Sequence, residues 1–132
     1  MSDTGSTPVR SACFMTHLDI VMFLVTNGAN ILRANFNGGT CLINSVQSVP
    51  LCEYLLKNGA AVNALDIQQK TALHYAIQEH RLETTKLLLQ YNADPSLKSR
   101  YGDDALQTAC LKGSFFYFLL LLVQFLINVF TL

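Results

Sequence analysis

Four segments of the chain begin alike and return at a nearly constant interval, and this constrains the fold more than any other feature. They are Thr7-Pro-Val-Arg-Ser-Ala12, Thr40-Cys-Leu-Ile-Asn-Ser45, Thr71-Ala-Leu-His-Tyr-Ala76 and Asp104-Ala-Leu-Gln-Thr-Ala109, with first residues 33, 31 and 33 positions apart. A second marker keeps step with them: Asn27-Gly-Ala-Asn30, Asn58-Gly-Ala-Ala61 and Asn92-Ala-Asp94. Each follows an apolar run, Ile20-Val-Met-Phe-Leu-Val25, Leu51-Cys-Glu-Tyr-Leu-Leu56 or Thr85-Lys-Leu-Leu-Leu89. A unit of this length cannot bury an apolar face alone, so the copies must stack on one another.

Each unit carries its own start and stop signals. The leading Thr, or Asp104, is expected to cap a first helix by accepting from an unpaired amide, and Pro8 fits beside Thr7 because its missing N–H would be an orphan there. The small residue five positions on (Ala12, Ser45, Ala76, Ala109) lets helices approach closely. Gly28 and Gly59 stand where a second helix ends and the chain turns, which favours a left-handed backbone, and Asn92 takes the third such site as the commonest stand-in for glycine. The loops then run over residues 31–39, 62–70 and 95–103. The second unit is two residues short: Phe14-Met-Thr-His-Leu18 in the first becomes Gln47-Ser-Val-Pro-Leu51, so Pro50 is expected to open its second helix and the local curvature to differ.

The period near 33 with Thr-x-Leu-His and Asn-Gly-Ala resembles the ankyrin repeat, and this likeness implies an all-α solenoid of helix-turn-helix units with hairpin loops on one side. It places an ankyrin-repeat domain over residues 1–113, with repeats at about 7–39, 40–70, 71–103 and from 104 onward, followed by a hydrophobic segment at 114–132. The first repeat, Thr7-Pro-Val-Arg-Ser-Ala-Cys-Phe14 with His17-Leu-Asp-Ile-Val21, together with Asn37-Gly-Gly-Thr-Cys-Leu42, is similar to the Fem family of ankyrin proteins, Arg10 standing where most repeats have His. That likeness implies a substrate receptor of a cullin-type ubiquitin ligase, whose array holds the C-terminal residues of a target. Met15-Thr16 replaces the family's Asp-Gly, which removes an acidic contact for a basic terminal residue. An array ending after its fourth repeat is expected to bind a target without presenting it for ubiquitin transfer.

Nine Lys and Arg balance nine Asp and Glu with no charged tail, which argues against a nucleic-acid binder. The polar start lacks the pattern of a signal peptide. The four cysteines then read as reduced thiols, with Cys13 and Cys110, directly after the small helix residue, as packed apolar groups. No Cys-x-x-Cys supports a zinc site. The ankyrin likeness gives His74 a role in tying one repeat to the next; His17 opens a second helix, and His80 with Glu79 sits at an exposed junction. No nucleophile, base or oxyanion donor assembles around them, so neither an enzyme nor a cofactor is expected.

Recognition of a protein or peptide is the function left. In the ankyrin arrangement the hairpin tips and the exposed ends of the first helices form a concave surface, here Phe14, Met15, Asn37, Gln68, Lys70, Gln78, Glu79, Arg100, Tyr101 and Lys112. Arg and Tyr are the types favoured at binding hot spots. The last 18 residues, Phe115 to Leu132, are apolar except Gln124, Asn128 and Thr131, and as a helix would span about 27 Å, just short of a hydrocarbon core of about 30 Å. Three accounts follow: a membrane anchor, read-through of a splice boundary near Gly113 that leaves a non-functional fragment, or a capping helix, which lacks the polar outer face expected of one. The localisation implied is cytoplasmic, or the cytosolic face of a membrane.

Overall fold

The computed structural model describes residues 8, 12–13, 15, 17–32, 38–113, 119, 121–124 and 126–127. Their order is α1 (Leu18–Thr26), a 3₁₀ turn (Ile43–Ser45), α2 (Val49–Lys57), α3 (Ala72–Gln78), α4 (Leu82–Gln90) and α5 (Ala105–Leu111). Among the described residues there is no strand. Within their units α1, α2 and α4 are second helices, while α3 and α5 are first helices.

First helices start where the leading residue can cap them. Thr71 Oγ1 accepts from the His74 amide and Asp104 Oδ1 from the Gln107 amide at 2.9 Å, each with the N3 side chain reaching back to the cap amide. Such a reciprocal cap satisfies two amides that the first turn would otherwise orphan. Thr40 Oγ1 takes the Ile43 amide at 3.2 Å, but the shortened second unit manages only a 3₁₀ turn before Ser48 caps α2, with Pro50 in its first turn.

Second helices stop in the same way three times. Gly28, Gly59 and Asn92 have φ of 91°, 90° and 66°. The next amide in each, that of Ala29, Ala60 or Ala93, closes on the carbonyl of Leu24, Leu55 or Leu88 at 3.0 Å. This paired closure satisfies the last carbonyls and requires a left-handed residue. First helices close similarly: Arg81 N–H donates to Ala76 O at 2.8 Å through His80 at φ 57°, and Gly113 takes the matching place at φ 67°.

Units are held by one continuous core from Ala12 to Leu121, crossed by a few polar links. Thr84 Oγ1, buried in α4, donates to Val46 O at 2.8 Å, which binds the third unit to the abbreviated second. Cys52 Sγ donates to Ser45 O at 2.9 Å, and burial, with Cys13 behind it, pushes its thiol up to about 12. Burial at an equivalent position depends on the neighbour: Leu51 and Thr84, eight residues before the left-handed turn, are 0% and 1% exposed, whereas Ile20 is 49% exposed because, among the described residues, no unit packs over that side of α1.

Within the apolar tail, Leu121 joins the core. Leu121 lies 33 residues after Leu88 and is fully buried, lining a small cleft with Pro95, Ser96 and Leu106. It stands in the core one repeat length beyond Leu88, and 121–124 have helical backbone. No helix among the described residues is long and apolar enough to cross a membrane. One expectation needs correction: Cys13 is buried but Cys110 is exposed. Val46 and Ile77, at the same step of their units, are buried because another unit stacks beyond them, and beyond Cys110 the described residues provide none.

Candidate functional site

The two fully described loops stack as hairpins, the later seated on the earlier. Asp66 organises the first fully described one. Its Oδ1 accepts from the amides of Gln68 and Lys70, both at 2.9 Å, while its own amide donates to Lys70 O at 3.0 Å. Gln69 completes the turn at φ 59°. The next hairpin repeats the plan with Ser99 for Asp66: Ser99 N–H donates to Asp103 O at 2.9 Å, Ser99 Oγ accepts from Tyr101 N–H at 3.2 Å, and Gly102 sits at φ 86°. Arg100 N–H then donates to Gln68 O at 2.7 Å and joins the two. On the other side Gly38, at φ 76°, lies so close that a Cβ there would stand 2.7 Å from Asp66 Cα, so only glycine fits.

This backbone fixes a set of side chains. Tyr75, on α3, donates its hydroxyl to Asp66 Oδ2. Burial, and after it the bond to Asp66, holds the phenol well above its usual range, so it stays a donor. The Lys70 ammonium lies 5.5 Å from the centre of the Tyr75 ring and 5.9 Å from that of Tyr101, within reach of both ring quadrupoles. Tyr101 is 67% exposed and Arg100 is exposed beside it.

Residues expected to share one surface thus divide into two groups. Gln68, Lys70, Arg100 and Tyr101 form a hairpin ledge. Gln78 and Glu79 stand at the far end of α3, whose seven residues span about 10 Å. Met15 and Lys112 occupy the corresponding ends of their own units and are exposed. Not all are free of structural duties: Glu79 Oε1 accepts from Gln47 Nε2 at 3.0 Å, and Lys70, Gln68 and Gln78 are half-buried. Phe14 and Asn37 lie outside the described residues. Sequence reading missed Tyr75 and Asp66. No local pattern could have found them, because the bond that joins them spans nine positions.

His74 is committed to structure. It is 2% exposed, and its Nδ1 lies 3.1 Å from the Thr71 amide, which can only donate, so Nδ1 accepts and Nε2 carries the proton. Nε2–H donates to Asp103 O at 2.9 Å in the next hairpin. Both ring nitrogens are used, and among the described residues no group of three His, Cys, Asp or Glu could hold a metal.

Comparison with known proteins agrees with this architecture. The sequence model described as ankyrin repeats (3 copies) matches residues 45–130, and that described as ankyrin repeat matches 4–36. The first match runs well into the apolar tail. The chain is 31% identical over 112 residues to the transient receptor potential channel pyrexia of Drosophila melanogaster, covering 83% of this chain and 12% of that protein. It is 29% identical over 110 residues to alpha-latrotoxin-Lg1a of Latrodectus geometricus (80% of this chain, 8% of the toxin). It is 38% identical over 76 residues to the ankyrin repeat and LEM domain-containing protein 1 homolog of Caenorhabditis elegans (58% and 10%). The chain therefore spans 8–12% of the length of these relatives.

Proposed function

The chain belongs to the ankyrin-repeat family, typically a non-enzymatic interaction module, and from that premise we propose that it holds a protein or peptide partner on its hairpin ledge. One observation carries this reading: Tyr101 and Arg100, residue types common at hot spots, are exposed on a hairpin whose backbone is pinned to its neighbour by the Arg100 to Gln68 bond. A rigid, exposed anchor loses little conformational entropy on binding. Partners co-purified with the full chain should be lost with Arg100→Ala/Tyr101→Ala and retained with Glu83→Ala/Lys86→Ala, which alters the exposed face of α4. The opposite pattern would move the interface to the helical side. This reading places the protein in the cytoplasm, with residues 1–113 as the recognition part.

The likeness of the first repeat to Fem proteins supports a narrower version, substrate recognition for a cullin-type ubiquitin ligase. Co-purification of a cullin scaffold with the full chain tests it, and a complex lacking any cullin counts against it. The composition of residues 115–132 supports a second reading, a membrane-tethered ankyrin protein. Weighing against a tether, the family match reaches residue 130 and Leu121 is buried in the core. Alkaline carbonate extraction separates the two: an anchor keeps the full chain, and not one ending at Gly113, in the membrane pellet.

A further inference from the structure

We infer that the Lys70 ammonium, set over the rings of Tyr75 and Tyr101, receives a carboxylate, so that the partner of this ledge is a peptide segment bearing acidic side chains. The inference rests on the protein-recognition reading and names the chemistry of the partner. It begins with Asp66, the nearest acid in sequence to Lys70. Its oxygens accept from the Gln68 amide, the Lys70 amide and the Tyr75 hydroxyl, so the carboxylate is engaged in fixing the loop. The ion pairs among the described residues are Glu53 with Lys57 and Glu83 with Lys86, and neither involves Lys70. The ammonium lies over two ring faces, which attract it but accept none of its hydrogen bonds as an oxygen would. A cation fixed in this way, with donors left over, is arranged for an incoming anion.

The surroundings favour a peptide over other anions. Arg100 stands on the adjoining hairpin, its backbone fixed to Gln68, and offers a second cation on the same ledge. Tyr101 exposes a ring suited to an apolar residue flanking the acid. An anionic membrane would instead need a cluster of several basic residues on one face, and this chain balances nine basic against nine acidic residues overall. Complementary charge at such a site adds specificity and speeds encounter more than it adds raw affinity.

The test uses the full chain and fluorescence polarisation with a short labelled peptide of Leu and Glu, its isosteric Leu and Gln counterpart, and a Leu and Lys version. The Glu peptide should bind about tenfold more tightly than the Gln peptide, with the difference shrinking as salt rises. Lys70→Met, which keeps an unbranched stem, should abolish the preference while the chain stays folded with a slightly lower melting temperature, and Lys70→Arg should preserve the preference. Equal binding of Glu and Gln peptides, or a preference that survives Lys70→Met, overturns the inference. So does failure of every peptide to bind, including the case where the chain adsorbs to phosphatidylserine vesicles. If the peptides bind without regard to charge yet weaken with Tyr101→Ala, the carboxylate site is wrong and the ledge stands. If they bind and Arg100→Ala/Tyr101→Ala changes nothing, the ledge itself is wrong.

Discussion

The third and fourth repeats begin with the same device and end in different circumstances. Thr71 with His74 and Asp104 with Gln107 make the same reciprocal cap, and α3 and α5 have equal length. In the third repeat the N3 side chain continues outward, His74 Nε2–H reaching Asp103 O of the following hairpin, whereas Gln107 is exposed and serves its own helix. Ile77 is buried and its counterpart Cys110 is exposed. The difference teaches that local structure in this fold is fixed within a repeat, while burial and the longer bonds are conferred by the repeat stacked beyond it.

The largest expected effect is on thiol reactivity, which reads that burial directly. With a thiol-specific reagent under native conditions, Cys110 should react at least about a hundredfold faster than Cys13, Cys41 and Cys52, which must wait for the structure to open. Cys52 also gives a dependence on pH. Because its folded pKa is raised, the associated stability is complete below about pH 9 and is lost as pH rises toward about 12, so alkaline unfolding should begin within that window and flatten in Cys52→Ala. Tyr75, raised for a similar reason, acts in the same direction at alkaline pH.

Among substitutions, His74→Ala should cost the most, about 3 kcal/mol by urea denaturation, because it leaves the buried Thr71 amide without its partner, removes one of the two bonds to the Asp103 carbonyl and opens a void. Gln107→Ala at the same step of the fourth repeat should cost about 1 kcal/mol or less. His74→Gln writes the fourth repeat's cap into the third; it should keep the cap, lose the link to the next hairpin and cost about 1 kcal/mol. If His74→Ala and Gln107→Ala were equally mild, the two repeats would not differ in the way described. The smallest effect is a gain: Asn92→Gly, at φ 66° and exposed, should stabilise by about 0.5 kcal/mol and raise the melting temperature slightly.

This division also explains what could be read from the sequence. The repeat spacing, the caps at Thr71 and Asp104, the left-handed Asn92 and the opening of α2 near Pro50 are set by residues within a few positions of one another, and all were legible. The exposure of Cys110 was not, because the same residue type at the same step is closed or open according to its neighbour. The arrangement of Lys70, Tyr75 and Tyr101 was only half legible: two of the three stood out as surface residues, but Tyr75 enters through Asp66, a bond across nine positions that no local pattern announces. The buried Leu121 was hidden by the uniform apolar composition around it, in which one leucine looks like the next.

The central claim is that partners are taken on the hairpin ledge, and photo-crosslinking tests it most directly. A benzophenone amino acid in place of Tyr101, compared with one in place of Glu83 on α4, reports which face a partner touches in cells. The account predicts crosslinked protein adducts from position 101 and few or none from position 83. Adducts from position 83 with none from 101 would contradict it.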